Sequence, residues 1–353
     1  MANIISATIE TPIQVTERLR ENFIWLPRYE ELRVSVDGFL EQTLELRRRS
    51  ESAMSKRVGE GRALVVVGES GEGKTRSLTR LFATHASLPN YGVLGGACPL
   101  VTVQAPSPCT LQQLGRATLA KLGYPIARDM RAHLVWESVN EKLKLTGTMI
   151  LHFDEMQHAT QTANILEIQK VANTLKALLL HLEWPVSLVL SGGPELVPFI
   201  QGDAQLRQRC DIVALAPLTA DIPNKKMIAE QASGLVNLAG LTLDTANATD
   251  LGSRIMYASG MHFGVMIEII LSAIQKALER LRDERLKGVE PVHTVTIDDF
   301  VAAHFRRTGC AETPNPFLAL DYVAIDARRF LQDTPTAVPP TPSPTKPTGR
   351  KKK

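Results

Sequence analysis

Val65-Val66-Val67-Gly68-Glu69-Ser70-Gly71-Glu72-Gly73-Lys74-Thr75 is the stretch on which the reading turns. The three valines predict a strand, G-x-x-x-x-G-K-T follows without a gap, and residues 76–86 carry a helical pattern. A phosphate-binding loop requires that order. Its glycines let backbone N–H groups turn inward around a phosphate, Lys74 reaches the β- and γ-phosphates, and the Thr75 hydroxyl ligates Mg2+. The new helix brings its positive N-terminal dipole to the same point. Gly68, Glu69, Ser70, Gly71, Glu72, Gly73, Lys74, Thr75 and Arg76 are therefore the predicted nucleotide-binding residues. An ordinary Gly-rich strand–helix turn is the competing reading, and it leaves the Lys-Thr pair without a purpose.

Working outward, residues 148–153 form a second apolar strand that ends in Asp154-Glu155. At the carboxyl end of a buried strand Asp154 can hold Mg2+, and Glu155 can polarise an attacking water. His152, inside that strand, reads as a packed core histidine. Residues 185–190 form another strand, ending at Ser191-Gly192-Gly193. Two readings of Ser191 stand: a hydroxyl that touches the γ-phosphate, or a turn residue before two glycines. Arg207 and Arg209 follow, either as solvated surface groups or as cations that reach a neighbouring subunit's site. The nearest approach to the N-K-x-D guanine signature, Asn224-Lys225-Lys226-Met227, has Met where the acid belongs. Adenine is the expected base.

Strands at 65–68, 99–104, 148–153, 185–190 and 211–215 alternate with helices at 110–122, 130–145 and 164–182, the pattern of an α/β, mainly parallel sheet. Ahead of them, residues 14–22 are short and polar, and 29–49 read as an amphipathic helix. Trp25 lies between the two; it either walls an adenine pocket or packs the helix on the core. Beyond Pro217 the pattern becomes all helix, at 224–238, 243–259, 261–286 and 297–306. The expected domains are a helical extension (1–60), a nucleotide-binding α/β domain (61–219), a helical lid (220–310) and a C-terminal extension (311–353). The last twenty residues hold six prolines and no apolar periodicity, so disorder is expected there.

Composition sets limits. With 353 residues the chain can bury a sizeable core, and 44% hydrophobic with 22% charged residues is ordinary for a globular protein. The overall charge of +3 includes five cations after Asp333 and no acid, so residues 1–333 sum to −2. A nucleic-acid footprint must then be a local patch or the tail itself. Cys98, Cys109, Cys210 and Cys310 are scattered, which fits neither a zinc site nor a disulfide framework. No run of about 18 apolar residues occurs, and residues 1–17 lack the layout of a signal peptide, so no membrane partner and a cytoplasmic location are expected.

The order of phosphate loop, Asp-Glu strand, Ser-ended strand, post-strand arginine and helical region resembles AAA+ ATPases. Further stretches are similar to the TniB/TnsC group, the ATPase partners of DDE-type transposases, with MuB a more distant relative. They include Ile24-Trp25-Leu26-Pro27-Arg28, the strand and loop from Leu64 to Thr75, and Val101-Thr102-Val103-Gln104-Ala105-Pro106-Ser107-Pro108 with its following helix. Leu190-Ser191-Gly192-Gly193 and Gln205-Leu206-Arg207-Gln208-Arg209 continue the likeness.

The resemblance implies an α/β P-loop AAA+ core with a parallel five-stranded sheet plus a small C-terminal all-helical lid. By it, Asp154 and Glu155 are the Walker B pair, Ser191 is the first sensor and Arg209 the trans-acting arginine. It also implies ATP and Mg2+ as cofactors, a bacterial cytoplasmic setting, and a homo-oligomeric ring or filament on duplex DNA. A transposase is the implied partner, with a target-selection protein as a further one. Gly260-Met261-His262-Phe263 departs from the lid's G-x-x-R pattern, so slow hydrolysis is expected. Arg116, Lys121, Arg128 and Arg131 are the candidate DNA contacts, with a solvated helix face as the competing reading. The tail ending Arg350-Lys351-Lys352-Lys353 reads equally as a phosphate or partner contact and as a solubilising segment. A nucleotide-gated protein scaffold that touches no DNA is the alternative function.

Overall fold

The computed structural model describes residues 10–24, 26–52, 59–93, 96–161, 164–244, 250–309 and 315–325. Two helices, α1 (Pro12–Glu21) and α2 (Pro27–Ser52), precede a sheet of β1 (Ala63–Gly68), β2 (Leu100–Gln104), β3 (Ile150–Asp154), β4 (Ser187–Gly192) and β5 (Cys210–Leu215). Between the strands run α3 (Lys74–Thr84), α4 (Leu111–Lys121), α5 (Ala132–Thr146), α6 (Gln157–Thr160), α7 (Ile165–Leu179), α8 (Leu196–Gln201) and α9 (Ala204–Arg207). The lid follows as α10 (Ile222–Leu238), α11 (Leu251–Ala258), α12 (Phe263–Leu286) and α13 (Ile297–Thr308), with short strands β6 (Thr242–Leu243) and β7 (Thr294–Val295).

All five long strands are parallel, in the order β2-β3-β4-β1-β5. A parallel sheet covered on both faces needs apolar side chains on both, and β1 supplies them by its two-residue period. Leu64 and Val66 enter a core shared with α1, α2, α3 and the lid, while Ala63, Val65 and Val67 enter a second core with α4, α5 and α7. With β4 between β3 and β1, the carboxyl ends of all three strands meet. Phe153 is in register with Leu190, and Val67 with Gly192. The phosphate loop, Asp154 and Ser191 are thereby placed side by side.

Two expectations change. Of residues 14–22, all but the C-cap Asn22 lie in α1, a helix that Thr11 and Gln14 start with a capping box and that buries Val15, Thr16 and Leu19. Polar composition concealed its narrow apolar stripe. The helix expected over 243–259 begins only at Leu251 (α11), because Thr242–Leu243 pairs in parallel with Thr294–Val295. Among the described residues the lid's helices are joined by one two-residue ladder. Trp25, Cys310 and the Pro-rich basic tail lie outside the described residues.

Candidate nucleotide-binding site

β1 is buried along its whole length and delivers the chain to a loop whose turns need left-handed backbone at Gly71 (φ 86°) and Gly73 (φ 85°). A Cβ on Gly73 would also lie 2.8 Å from the Tyr29 hydroxyl. α3 starts at Lys74 with no side chain capping its first N–H groups, which leaves them for an anion. Lys74 Nζ donates to the carbonyls of Gly68 at 2.7 Å and Glu69 at 2.9 Å. Burial lowers the pKa of Lys74, against the pull of Glu155, Asp154, Glu72 and Glu195.

Thr75 Oγ1 donates to Asp154 Oδ2 at 2.8 Å, joining loop and β3 across 79 residues. Ser191 is fully buried, and its hydroxyl donates to Asp154 Oδ1. His152 Nε2 lies 2.8 Å from Ser191 Oγ, and burial pushes the His152 pKa down to about 4. The ring is a packed core group, as expected, with polar partners at both nitrogens. Glu155 has a left-handed backbone (φ 58°), and its carboxylate accepts a hydrogen bond from Gln157 Nε2. Gln157 Oε1 in turn takes the Gly193 N–H at 3.1 Å, so one side chain ties the ends of β3 and β4 together.

A cavity of about 1170 Å3 opens above the loop. Its lining includes Phe23, Ile24 and Tyr29 before α2 and at its start, Ser70, Gly71, Gly73 and Ser77 of the loop and α3, and His262, Phe263 and Arg307 of the lid. Ser77 Oγ is buried there without a hydrogen-bond partner. A cradle of positive-φ glycines, uncapped helix N–H groups and an orphaned hydroxyl fits a nucleotide's phosphates. The Thr75–Asp154 pair offers hard oxygen ligands of the kind that would suit Mg2+. Arg76 lines the cavity too; its Nη2 donates to the carbonyls of Arg20 and Asn22, which binds α3 to the segment before α2.

The partners of Glu72, one of the predicted nucleotide-binding residues, escaped the sequence reading. Glu72, inside the loop, is fully buried, ion-paired to Arg28 at 2.7 Å and hydrogen-bonded by His262 Nδ1 at 2.6 Å. Arg28 also donates to the Ala216 carbonyl at 2.6 Å and lies over the Tyr29 and Phe263 rings. Phe263, at the expected sensor position, is therefore a packing residue. The signal was present: an acid in an anion-binding loop demands a buried counter-cation. The lid meets the loop directly, since Gly264 N–H donates to the Gly71 carbonyl at 2.7 Å.

Arg209 stands apart from this cluster. It precedes β5, at the opposite end of the sheet from the loop, where its carbonyl accepts the Ala63 N–H and its guanidinium pairs with Glu60 at 2.7 Å. Of the candidate DNA contacts, Arg116 is engaged by the Ile126 and Arg128 carbonyls, whereas Lys121, Arg128 and Arg131 are exposed. Among the described residues no single helix is long and apolar enough to cross a membrane.

Many solved structures are similar to this chain, among them the following two. Cdc6p from Pyrobaculum aerophilum is 13% identical, with a TM-score of 0.54 over 81% of this chain and 69% of that one. The ADP form of the Aeropyrum pernix ORC2 protein is 14% identical, with a TM-score of 0.52 over 82% of this chain and 71% of that one. At such identities the likeness is one of fold. No curated protein matches the chain. The family model described as "Bacterial TniB protein" matches residues 43–219, half of the sequence, from within α2 through all five long strands. The chain, with its parallel α/β sheet, belongs to the TniB family.

Proposed function

We propose that this protein is an ATP-dependent regulator of transposition that assembles on duplex DNA with bound ATP and Mg2+ and directs a DDE transposase to its target. The observation that carries the reading is the Thr75–Asp154 hydrogen bond at 2.8 Å beside Lys74, within a TniB-family chain. Lys74 and the N-terminal N–H groups of α3 would hold the β- and γ-phosphates, and Thr75 with Asp154 would hold Mg2+, whose charge would offset that of the phosphoryl group. Glu155 orients the attacking water.

Hydrolysis is slow in this reading, because the Glu155 carboxylate is engaged by Gln157 and residue 263 is a phenylalanine. Arg209, on the far end of the sheet from its own loop, acts in trans once a second copy docks against that end. Lys121, Arg128 and Arg131 contribute to a DNA-facing surface shared among subunits. A mobility-shift titration with duplex DNA tests the proposal. ATP with Mg2+ should produce sequence-tolerant complexes that weaken steeply with salt, and Lys74→Ala should abolish them. Protein that leaves DNA unshifted at low salt yet still binds ATP would point instead to the nucleotide-gated scaffold.

A further inference from the structure

One face of the sheet carries a row of polar side chains where its neighbours are apolar. Thr102 on β2 is in register with His152 on β3, and His152 with Val189 on β4, two residues before Ser191. By the two-residue period, Thr102, His152, Asp154 and Ser191 all project toward the face covered by α3. His152 is fully buried there, edge-on to the Phe82 ring at 5.3 Å. Tyr91 OH lies 2.8 Å from Thr102 Oγ1, which lies 3.1 Å from His152 Nδ1, and His152 Nε2 lies 2.8 Å from Ser191 Oγ.

Counting donors orients this row. A carboxylate only accepts, so the single Ser191 proton goes to Asp154 Oδ1. Ser191 Oγ must then accept from His152, which places the ring proton on Nε2. Nδ1 of the neutral ring accepts the Thr102 proton, and the Thr102 oxygen accepts that of Tyr91. Every proton points the same way, toward Asp154, whose other oxygen accepts from Thr75.

We propose that His152 is a positioning residue for the metal-holding carboxylate: through Ser191 it fixes which edge Asp154 turns toward Thr75 and the phosphate loop. Ser191 then acts through Asp154. A core histidine kept for packing alone would need no hydrogen bond aimed at this carboxylate. This inference rests on the nucleotide reading above and adds to it two residues that act through Asp154.

The test is calorimetry of ATP binding with Mg2+ and with EDTA, alongside thermal melting to establish folding. His152→Phe keeps the ring beside Phe82 and removes both polar ends. It should leave Mg2+-free affinity within about twofold while cutting the gain from Mg2+ roughly tenfold, as loss of an outer-shell partner does. His152→Gln returns an N–H near the Nε2 position and should recover most of that gain. Ser191→Ala should lose as much as His152→Phe, and it serves as the deciding variant where His152→Phe does not fold. A folded His152→Phe or Ser191→Ala protein that keeps the full Mg2+ gain, or weakens equally with and without Mg2+, overturns the inference and leaves the nucleotide reading intact. Wild-type protein that binds no ATP overturns both.

Discussion

Arg28 and Glu72 form an ion pair at 2.7 Å, in which Glu72 is fully buried and Arg28 comes from the first turn of α2. The Pro27-Arg28 segment is thus wired into the middle of the phosphate loop, 44 residues downstream. His262 of the lid reaches the same carboxylate from the other side. One buried acid fastens the segment before α2, the loop and the lid together.

Removing one partner of a buried pair leaves an uncompensated charge, which costs about 3–5 kcal/mol. Arg28→Met should therefore lower unfolding stability in urea by that amount, and the double variant Arg28→Met/Glu72→Gln should recover most of it. A loss under about 1 kcal/mol in Arg28→Met, by the same criterion, would mean that the pair does not hold these three parts together.

The lid contact is backbone on backbone. A Cβ on Gly264 would lie 2.5 Å from the Gly71 carbonyl oxygen, so Gly264→Ala must push the start of α12 off the loop. The expected cost is about 1–3 kcal/mol in stability, together with weaker nucleotide binding. Gly234→Ala, in the interior of α10 where a Cβ meets nothing within 4 Å, is the matched control within the lid; it should leave nucleotide binding unchanged and raise stability by about 0.5–1 kcal/mol through helix propensity.

Arg307 lines the cavity from α13, and among the described residues it has no ion-pair partner. It places a lid cation on the cavity wall, where position 263 holds a phenylalanine. Arg307→Ala should weaken ATP about fivefold in calorimetry, the worth of roughly 1 kcal/mol, and ADP less. Equal loss for the two nucleotides would show that the guanidinium does not face the terminal phosphate.

His304, on the same helix, is buried with Nε2 unpartnered, and burial first, then Arg307, pushes its pKa down to about 4. The unfolded chain takes up the proton near pH 6.5 and the folded one only near 4, so stability falls as pH drops through that window. Relative to His304→Gln, the wild type should lose roughly 1–2 kcal/mol more between pH 7 and 5 in urea melts. Parallel losses in the two proteins would mean that His304 titrates alike folded and unfolded.

What the sequence disclosed and what it hid follow one physical division. Gly71, Gly73, Lys74 and Thr75 were legible because their geometry is local: φ, spacing and a helix start lie within eight residues. Asp154 and Ser191 were legible as strand ends, since a parallel sheet brings carboxyl ends together whatever the loops do. Arg28 and His262 were not, because their common partner lies 44 and 190 residues away and no periodicity links them. His152 was placed in the core, but its bonds to Thr102 and Ser191 depend on strand order, which alternating strands and helices leave undetermined. α1 was missed despite its Thr11-x-x-Gln14 capping box, and β6 and β7 are too short for any pattern.

Calorimetric titration of ATP with Mg2+ into the wild-type chain and into Lys74→Ala tests the central claim most directly. Saturable binding of one ATP per chain in the wild type, lost in Lys74→Ala while its melting transition is retained, is the predicted result. Absence of binding to the wild type, or equal binding to a folded Lys74→Ala protein, would contradict the placement of a triphosphate between Lys74 and Asp154.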